Sequence, residues 1–229
     1  MSTIEWPADI APSTSEFYLE EHTAGVSSPF NRRQTVMPMP GERWLCKLTF
    51  NRKKGRVSDR IEALVARMEG RANKVSLFDF RRRFALGAVN SPPPMIFSDG
   101  TAFSDGTTFI DTPPPPVVDG DSYGRAIPTR GWAVNSVGHL VVGDYVAFGP
   151  NRLHRLVEDL DTDADGKGVL HVRPPIPATY PLASGQVVTI NECRAEFRAK
   201  TDGQGRNPTV PGDFSSYTLE LEQEVPCPS

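Results

Sequence analysis

The sequence predicts a mainly β protein with one short helix, in which a small β-barrel domain is inserted into a β-sandwich-like domain. Three observations lead to this prediction. Several stretches alternate apolar with polar residues, as half-buried strands do. The 229 residues include 22 prolines and 19 glycines, a composition that favours turns over long helices. One stretch has a convincing helical spacing of apolar residues, at residues 59–69.

The first predicted strands lie in the N-terminal part of the chain. Residues 16–20 are expected to form a strand, and residues 23–31 to form a loop. Residues 51–56 read as a basic turn that contains a glycine. Between them, residues 41–50 have the alternation of a half-buried strand. Its apolar positions are Trp44, Cys46, Leu48 and Phe50.

The predicted helix covers residues 59–69. Asp59 can cap its first turn, Glu62 follows three residues later as a capping box requires, and Gly70 is placed to end it. A helix of this length is expected to lie across a single sheet. Residues 75–80 are expected to form the next strand. The apolar stripe of the helix consists of Ile61, Leu64, Val65 and Met68.

Residues 88–128 are predicted to be an irregular, exposed arm. Proline runs at 92–94 and 113–116 enclose two copies of the hexad Phe-Ser-Asp-Gly-Thr-Ala/Thr. Prolines remove backbone donors, and Asp-Gly pairs favour turns. The arm is nevertheless too apolar for a free linker, so we expect it to carry assembly contacts. Its large apolar residues are Met95, Ile96, Phe97, Phe103, Phe109 and Ile110.

A compact inserted domain is predicted for residues 129–180, because short apolar runs alternate there with glycine-containing turns. Longer strands are expected at residues 187–197 and 214–225, with a polar hairpin tip at 201–211. In the last strand Tyr217, Leu219 and Leu221 share one side. Residues 1–87 and 181–229 are therefore predicted to form one discontinuous domain around the insertion.

Charge and composition exclude several functional classes. The formal net charge of −3 gives no general basic field for nucleic acid. The N-terminal stretch lacks the features of a secretory signal, and no apolar run is long enough to span a membrane. The cysteines Cys46, Cys193 and Cys227 have no spacing typical of a disulfide framework or a zinc site, which favours synthesis in a reducing cytosol.

Candidate metal and catalytic motifs are weak. Residues 161–166 match the start of a calcium loop, but its twelfth position is Val172 where a glutamate is needed, and a polar hairpin turn explains the same residues. His139, His154 and His171 could approach one another in a small barrel and suit zinc, yet surface or strand-edge positions are favoured. No Gly-x-Ser-x-Gly motif is present. We therefore predict no catalytic, cofactor or metal residues and no enzyme activity.

Basic clusters occur at Arg32-Arg33, residues 52–54 and residues 81–83. Contact with nucleic acid is one interpretation. The other is complementary charge across a subunit interface, because Glu20-Glu21 and the glutamates at 220, 222 and 224 balance the basic residues. We favour the subunit interface.

Four stretches together resemble proteins of the distal tail of long-tailed, siphovirus-like bacteriophages, either the distal tail protein or a minor tail protein. They are SPFNRRQTVMPMPGERWLCKLTF, RIEALVARMEGRANKVSLFDF, LVVGDYVAFGPNRLHRLVEDLDTDADGKGVLHVRPPI and FSSYTLELEQEV. The third is the most specific, with a Gly-Asp before a strand, an Asp/Gly hairpin and a Pro-Pro exit. The Phe-Ser-Asp-Gly hexads are also familiar from such tail proteins.

The resemblance implies a structural component of the virion. Its ring-forming β domain is expected to assemble as a hexamer, and the inserted barrel is expected to be OB-like. The ring joins the tail tube to the baseplate hub and leaves a channel for DNA. The implied partners are further copies of the chain, the tail tube protein, and the hub and tape-measure proteins, with no sequence-specific nucleic-acid binding. The resemblance also implies that the protein is made in the host cytoplasm and ends in the virion.

Two alternatives remain open from the sequence. The inserted barrel could bind a carbohydrate or receptor, with Trp132 and Tyr145 as platform residues, although both are better explained as core. A cell-wall-degrading tail enzyme is the other alternative, and it lacks a nucleophile motif or a paired metal site.

Overall fold

A computed structural model describes residues 2–7, 9–27, 29–39, 41–87, 115–206 and 215–224. Within this part of the chain the protein is mainly β with one helix, and a sheet curls into a half-barrel. Two compact units are formed. The first contains the described residues of Met1–Arg83, Pro150–Leu153 and Glu192–Ser229, and the second contains those of Phe84–Gly149 and His154–Asn191.

The elements follow one another with short connections in most of the described chain. The helix α1 spans Arg56–Met68. The strands are β1 Thr3–Glu5, β2 Thr14–Glu20, β3 Thr23–Ser27, β4 Gln34–Pro38, β5 Arg43–Lys53, β6 Lys74–Phe78, β7 Val117–Val118, β8 Gly124–Arg130, β9 Tyr145–Ala147, β10 Leu153–Leu156, β11 Lys167–Ile176, β12 Arg194–Ala199 and β13 Ser215–Gln223.

The first unit is built on a six-stranded sheet with the order β1-β6-β12-β13-β5-β2. The short edge strand β1 runs parallel to β6, and the other pairs are antiparallel. The predicted alternation in β5 and β13 is confirmed, because one side of each strand is buried. The buried residues predicted there are Trp44, Cys46, Leu48, Phe50, Tyr217, Leu219 and Leu221.

The helix packs by the predicted stripe, since Ile61, Leu64 and Met68 are buried. Val65 is only half-buried. The predicted N-terminus is wrong: the helix begins three residues earlier, after Gly55 with φ 61°, and no side chain caps it. The start of the helix therefore takes up part of the basic turn expected at residues 51–56.

The C-terminal end of the helix also differs from the prediction by one residue. Glu69 is the C-cap in a left-handed conformation with φ 49°, and its N–H donates to the carbonyl oxygen of Ala66. Gly70 follows with φ 64°. A Cβ at Gly70 would come within 2.6 Å of the Asp202 carboxylate, so the glycine permits this close approach.

The second unit contains a five-stranded sheet with the order β7-β8-β11-β10-β9. The pairs β7–β8, β8–β11 and β10–β11 are antiparallel. Its core is an apolar cluster contributed by strands and connecting loops alike. The cluster comprises Ala85, Val118, Ile127, Trp132, Leu140, Val146, Phe148, Leu156, Leu160, Leu170, Val172, Ile176, Leu182 and Val188.

Two strand predictions fail in this region. Residues 88–114 of the predicted arm lie outside the described residues, but β7 and β8 occupy part of 115–128, so the expectation of an irregular segment up to residue 128 is wrong. The strand expected at residues 187–197 begins only at Arg194. Before it, Val187 and Thr189 form isolated bridges instead of a continuous strand. Strand β8 pairs with β7 on one side and with β11 on the other. The prolines in this part of the sequence argued against a strand and so hid this pairing from sequence analysis.

Candidate assembly surface

Strands β3 and β4 form a two-stranded antiparallel ribbon that is separate from both larger sheets. We call residues 23–38 the ribbon. Its register runs from Thr23 opposite Pro38 to Ser27 opposite Gln34. Every residue of both strands is exposed. Because residues 23–31 were expected to be a loop, the strand β3 is a correction to that prediction.

The ribbon leaves the first unit at the edge of its sheet. It directly follows the edge strand β2, and the N–H of Met39 donates to the carbonyl oxygen of His22 over 2.8 Å at its base. At the other end, the Asn31 side-chain oxygen accepts the N–H of Arg33, and Arg32 has φ 55°. A side-chain bond to the backbone two residues on is a common way to close a turn.

Large apolar side chains on the ribbon face solvent. Phe30 at the tip is 96% exposed and Val26 is 75% exposed. The register places Val26 and Met37 on one face and Val36 on the other, so both faces are apolar. The exposed apolar set at the ribbon and its base is Val26, Phe30, Val36, Met37 and Met39.

These properties point to an interaction element. An isolated two-stranded hairpin is marginally stable in water, because it buries little apolar area against itself. Exposed clusters of apolar residues commonly mark protein–protein contacts. A neighbouring surface that covers the ribbon would remove its apolar side chains from water and hold its two strands together.

Sequence reasoning missed the ribbon for a physical reason. Alternation of apolar and polar residues reports a strand only when one face is buried, and neither face of the ribbon is. A weaker signal was present, since Thr35 and Val36 are β-branched and Pro29 and Asn31 favour a turn between two short runs.

The outward face of the six-stranded sheet carries charged side chains in cross-strand pairs. Glu220, Glu222 and Glu224 were expected to complement basic residues across a subunit interface, but each is paired within the unit. The contacts are Lys47–Glu220 at 3.5 Å, Arg43–Glu222 at 3.1 Å, Arg71–Glu222 at 3.4 Å, Arg198–Glu224 at 2.9 Å, and Lys74–Glu224. This acidic set is therefore neutralised locally, which corrects that part of the expectation.

Two arginines of the predicted basic clusters are also used inside the first unit. The Arg81 guanidinium binds the buried Asp79 carboxylate at 2.8 Å and donates to the carbonyl oxygen of Phe17 over 2.6 Å. Arg83 pairs with Glu192. The hydrogen bond from Arg83 lowers the pKa of Glu192 below its ordinary value, aided by Arg194 and opposed by partial burial. Arg32 and Arg33, in contrast, lie at the ribbon tip.

His139 and His154 of the second unit are held in two different settings. His139 contacts Ser136 at 3.0 Å and Trp132, and burial lowers the pKa of its imidazole. His154 Nδ1 lies 2.7 Å from the Pro174 carbonyl oxygen. Within the described residues, no group of three or more histidine, cysteine, aspartate or glutamate side chains could hold a metal ion.

The acidic motif at residues 161–166 forms a turn. Asp163 Oδ1 accepts the N–H groups of Asp165 and Lys167 at 2.9 and 2.8 Å, and Asp161 accepts that of Gly138. Gly166 has φ 68°, and a Cβ there would lie 2.4 Å from the Trp132 carbonyl oxygen. Weak or no calcium binding stays a prediction, based on the missing bidentate ligand at Val172.

The proposed sugar-platform residues of the inserted domain are core residues. Trp132 is 7% exposed and Tyr145 is 5% exposed. The Trp132 indole N–H donates to the Thr129 hydroxyl over 2.8 Å, so its polar edge is also satisfied inside the unit. Stacking against a sugar requires an accessible ring face, which burial of these two side chains removes.

Two further features of the first unit are weaker candidates for a functional site. Burial raises the pKa of the Cys46 thiol, which disfavours the nucleophilic thiolate. A depression of about 350 Å³ lies beside the start of β13, between residues 203–206 and the end of β5. Arg206 and Glu220 lie on its lining, and the Gln204 side chain accepts the backbone N–H of Glu220.

No protein-family model matches the sequence, and a search of curated proteins also gives no match. Among the described residues, the helix is too short and too polar to cross a membrane.

Proposed function

We propose that this chain is a structural protein of a bacteriophage tail: a distal tail adaptor that assembles as a hexameric ring. The ring would join the tail tube to the baseplate hub, contact the tape-measure protein, and leave a channel for DNA. The chain would act in the virion after synthesis in the host cytoplasm, without enzyme activity. The four stretches that resemble such tail proteins support this function.

The observation that carries the proposal is the exposed ribbon. A head-to-tail contact between identical subunits closes into a ring when the rotation between neighbours is right. The ribbon supplies a projecting apolar element for such a contact, because Phe30, Val26 and Val36 all face solvent. Each subunit's ribbon would lie on the next subunit, so every ribbon in the closed ring is covered.

The sheet of the first unit offers a second reason for ring closure. Its order leaves β1 and β2 at the two edges. Unpaired strand edges promote uncontrolled association, and closure around a ring covers them. We propose that this unit is the sandwich-like ring domain and that the second unit is an OB-like barrel.

Replacement of the ribbon's apolar side chains tests this function. The triple variant Val26→Thr, Phe30→Ser, Val36→Thr should have a lower native mass than the unaltered protein by light scattering, with an unchanged circular dichroism spectrum. A matched control, Val134→Thr, Val137→Ser, Val142→Thr, changes exposed valines of the second unit. The control should keep the full native mass. An unchanged mass for the ribbon variant would contradict the role given to the ribbon.

A further inference from the structure

A short length of strand edge is open in the six-stranded sheet of the first unit. Strand β13 pairs with β5 from Ser215 to Glu222, but β12 pairs with it only at residues 221–223. Beyond that point the chain leaves the sheet at Lys200, whose N–H donates to the carbonyl oxygen of Glu220 over 2.9 Å. Among the described strands, the start of β13 therefore has a neighbour on one side only.

The backbone of Thr218 faces this open side. Successive residues of a strand direct their N–H and C=O groups to opposite sides, so Thr218 and Glu220 point the same way. Glu220 points toward the β12 side, where its N–H also donates to Oε1 of Gln204 over 2.9 Å. Thr49 lies opposite Thr218 on β5, and its carbonyl oxygen accepts the N–H of Ser13, so it points away from β13. Within the described residues, the N–H and C=O of the exposed Thr218 therefore have no hydrogen-bond partner.

The depression of about 350 Å³ beside the start of β13 lies against this open edge. The turn that forms its far wall is held in place from two directions. The Gln204 side chain is bonded to the backbone of β13. Gly205 packs closely on α1, because a Cβ there would lie 2.8 Å from the Val65 side chain. We call the space between residues 203–206 and residues 216–218 the edge slot.

The edge slot carries a cation whose charge is not neutralised. The Arg206 guanidinium lies beside Gly203, since a Cβ at that glycine would be 3.9 Å from Nε and 4.0 Å from a terminal nitrogen. Glu220, the acidic residue of the lining, is instead paired with Lys47 at 3.5 Å. Among the described residues no carboxylate is within ion-pair distance of Arg206. A carboxylate that enters the slot can therefore form a charge-assisted hydrogen bond with this arginine.

We infer that the edge slot binds an extended peptide segment of a partner protein, and that this segment carries an acidic side chain. A residue of the segment opposite Thr218 accepts its N–H and donates to its C=O, which gives the two hydrogen bonds of an antiparallel pair. Strand addition of this kind takes affinity from main-chain bonds and specificity from neighbouring side-chain sites. Arg206 supplies the specificity for a carboxylate. The site lies within one copy, so it does not depend on the proposed ring.

A peptide fits the edge slot better than a carbohydrate does. The aromatic residue of the described lining, Tyr217, is 1% exposed, so its ring offers no face on which a sugar could stack. A donor and an acceptor on one strand residue form the pattern that a second strand completes. The volume is at the lower end of the range for ligand pockets, which suits a short segment.

A labelled peptide tests the site in the full-length protein. The probe is the hexapeptide Val-Thr-Val-Asp-Val-Thr, blocked at both ends and labelled with fluorescein, and fluorescence anisotropy measures its binding. The same peptide with every backbone nitrogen methylated should bind at least about tenfold more weakly, because it cannot donate to Thr218. Arg206→Gln should weaken binding of the probe by about threefold to tenfold but leave an Asp-to-Asn version of the probe unaffected. Arg125→Gln, at an exposed arginine of the second unit, is the matched control and should change neither.

Two further measurements locate the peptide on the open edge. Thr218→Pro removes an N–H that no described bond uses and should abolish binding, with thermal melting to show that the variant is folded. In the unaltered protein, the probe should slow hydrogen–deuterium exchange in residues 215–220, which decides the matter even if the proline variant fails to fold. Absence of binding, or equal binding of the methylated peptide, would overturn the inference. Slower exchange in residues 215–220 with maltose but not with the peptide would assign the edge slot to a carbohydrate instead.

Discussion

The Tyr217 hydroxyl donates a hydrogen bond of 2.8 Å to Oε1 of Glu62 and so joins β13 to α1. The Ser58 hydroxyl lies 2.6 Å from the Tyr217 hydroxyl oxygen. Tyr217 is 1% exposed, so this bond lies at the edge of the core. The glutamate expected to complete a capping box therefore binds a buried phenol of the sheet instead.

Removal of the Tyr217 hydroxyl should destabilise the first unit. Tyr217→Phe leaves the buried Ser58 hydroxyl without this partner, and we expect a loss of about 1–3 kcal/mol in the free energy of unfolding. Denaturant unfolding measures the loss. Tyr18→Phe is the control, because Tyr18 is 51% exposed and should change stability little. Equal effects of the two substitutions would contradict the role of the buried hydroxyl.

Truncation of Leu64 should lower the free energy of unfolding by more than removal of the Tyr217 hydroxyl does. This side chain is 2% exposed on the buried face of α1. Leu64→Ala should lower the free energy of unfolding by roughly 2–5 kcal/mol, through lost burial and the cavity that remains. Val57→Ala, at the exposed side of the same helix, should stay within about 0.5 kcal/mol of the unaltered protein. If Leu64→Ala also lowers the free energy of unfolding by less than about 0.5 kcal/mol, the apolar stripe of α1 is not part of the core.

Two glycines of the second unit have similar positive φ angles but different surroundings. Substituting each by alanine therefore distinguishes the cost of backbone strain from the cost of steric overlap. Gly166 has φ 68° and lies against the Trp132 backbone, whereas Gly185 has φ 81° and nothing within 4 Å of an added Cβ. Gly185→Ala should cost about 1–2 kcal/mol, the strain of a left-handed residue. Gly166→Ala should cost clearly more, because backbone must also move. Thermal melting of the two variants measures the difference, and equal melting temperatures would refute it.

Acid should weaken the first unit through Glu192. Its pKa in the folded protein lies below the ordinary value of 4.5, mainly because Arg83 donates to the carboxylate. A depressed carboxylate pKa stabilises the fold above the unfolded pKa, and this stabilisation is lost as pH falls through the folded pKa. Melting temperatures should therefore fall between about pH 5 and pH 3, and Glu192→Gln should reduce that fall. Glu16→Gln serves as the control, and an identical pH profile for the two variants would contradict this assignment.

The strands that the sequence predicted correctly have one buried face. In β13, Tyr217, Leu219 and Leu221 pack inward and leave an alternating pattern. Strand β8 contains Pro128 opposite Val169, and a proline within a strand argues against a strand by local rules. Pairing to β7 and β11 overrides that local preference, which no property of residues 124–130 alone indicates.

The candidate assembly surface was harder to predict than the fold. Basic and acidic clusters in the sequence suggested an interface, but Glu222 and Glu224 are neutralised by cross-strand partners that are distant in sequence. The ribbon has no burial pattern of its own, and Phe30 becomes notable only when its exposure is known. Pairing across the sheet decides which charges and apolar side chains remain available to a partner.

The native mass of the purified, full-length chain tests the central claim most directly. Light scattering coupled to size-exclusion chromatography, over a range of protein concentrations, measures it without any label. The proposed tail ring predicts one closed species with the mass of six copies. A monomer at every concentration, or an open series of sizes that grows with concentration, would contradict it.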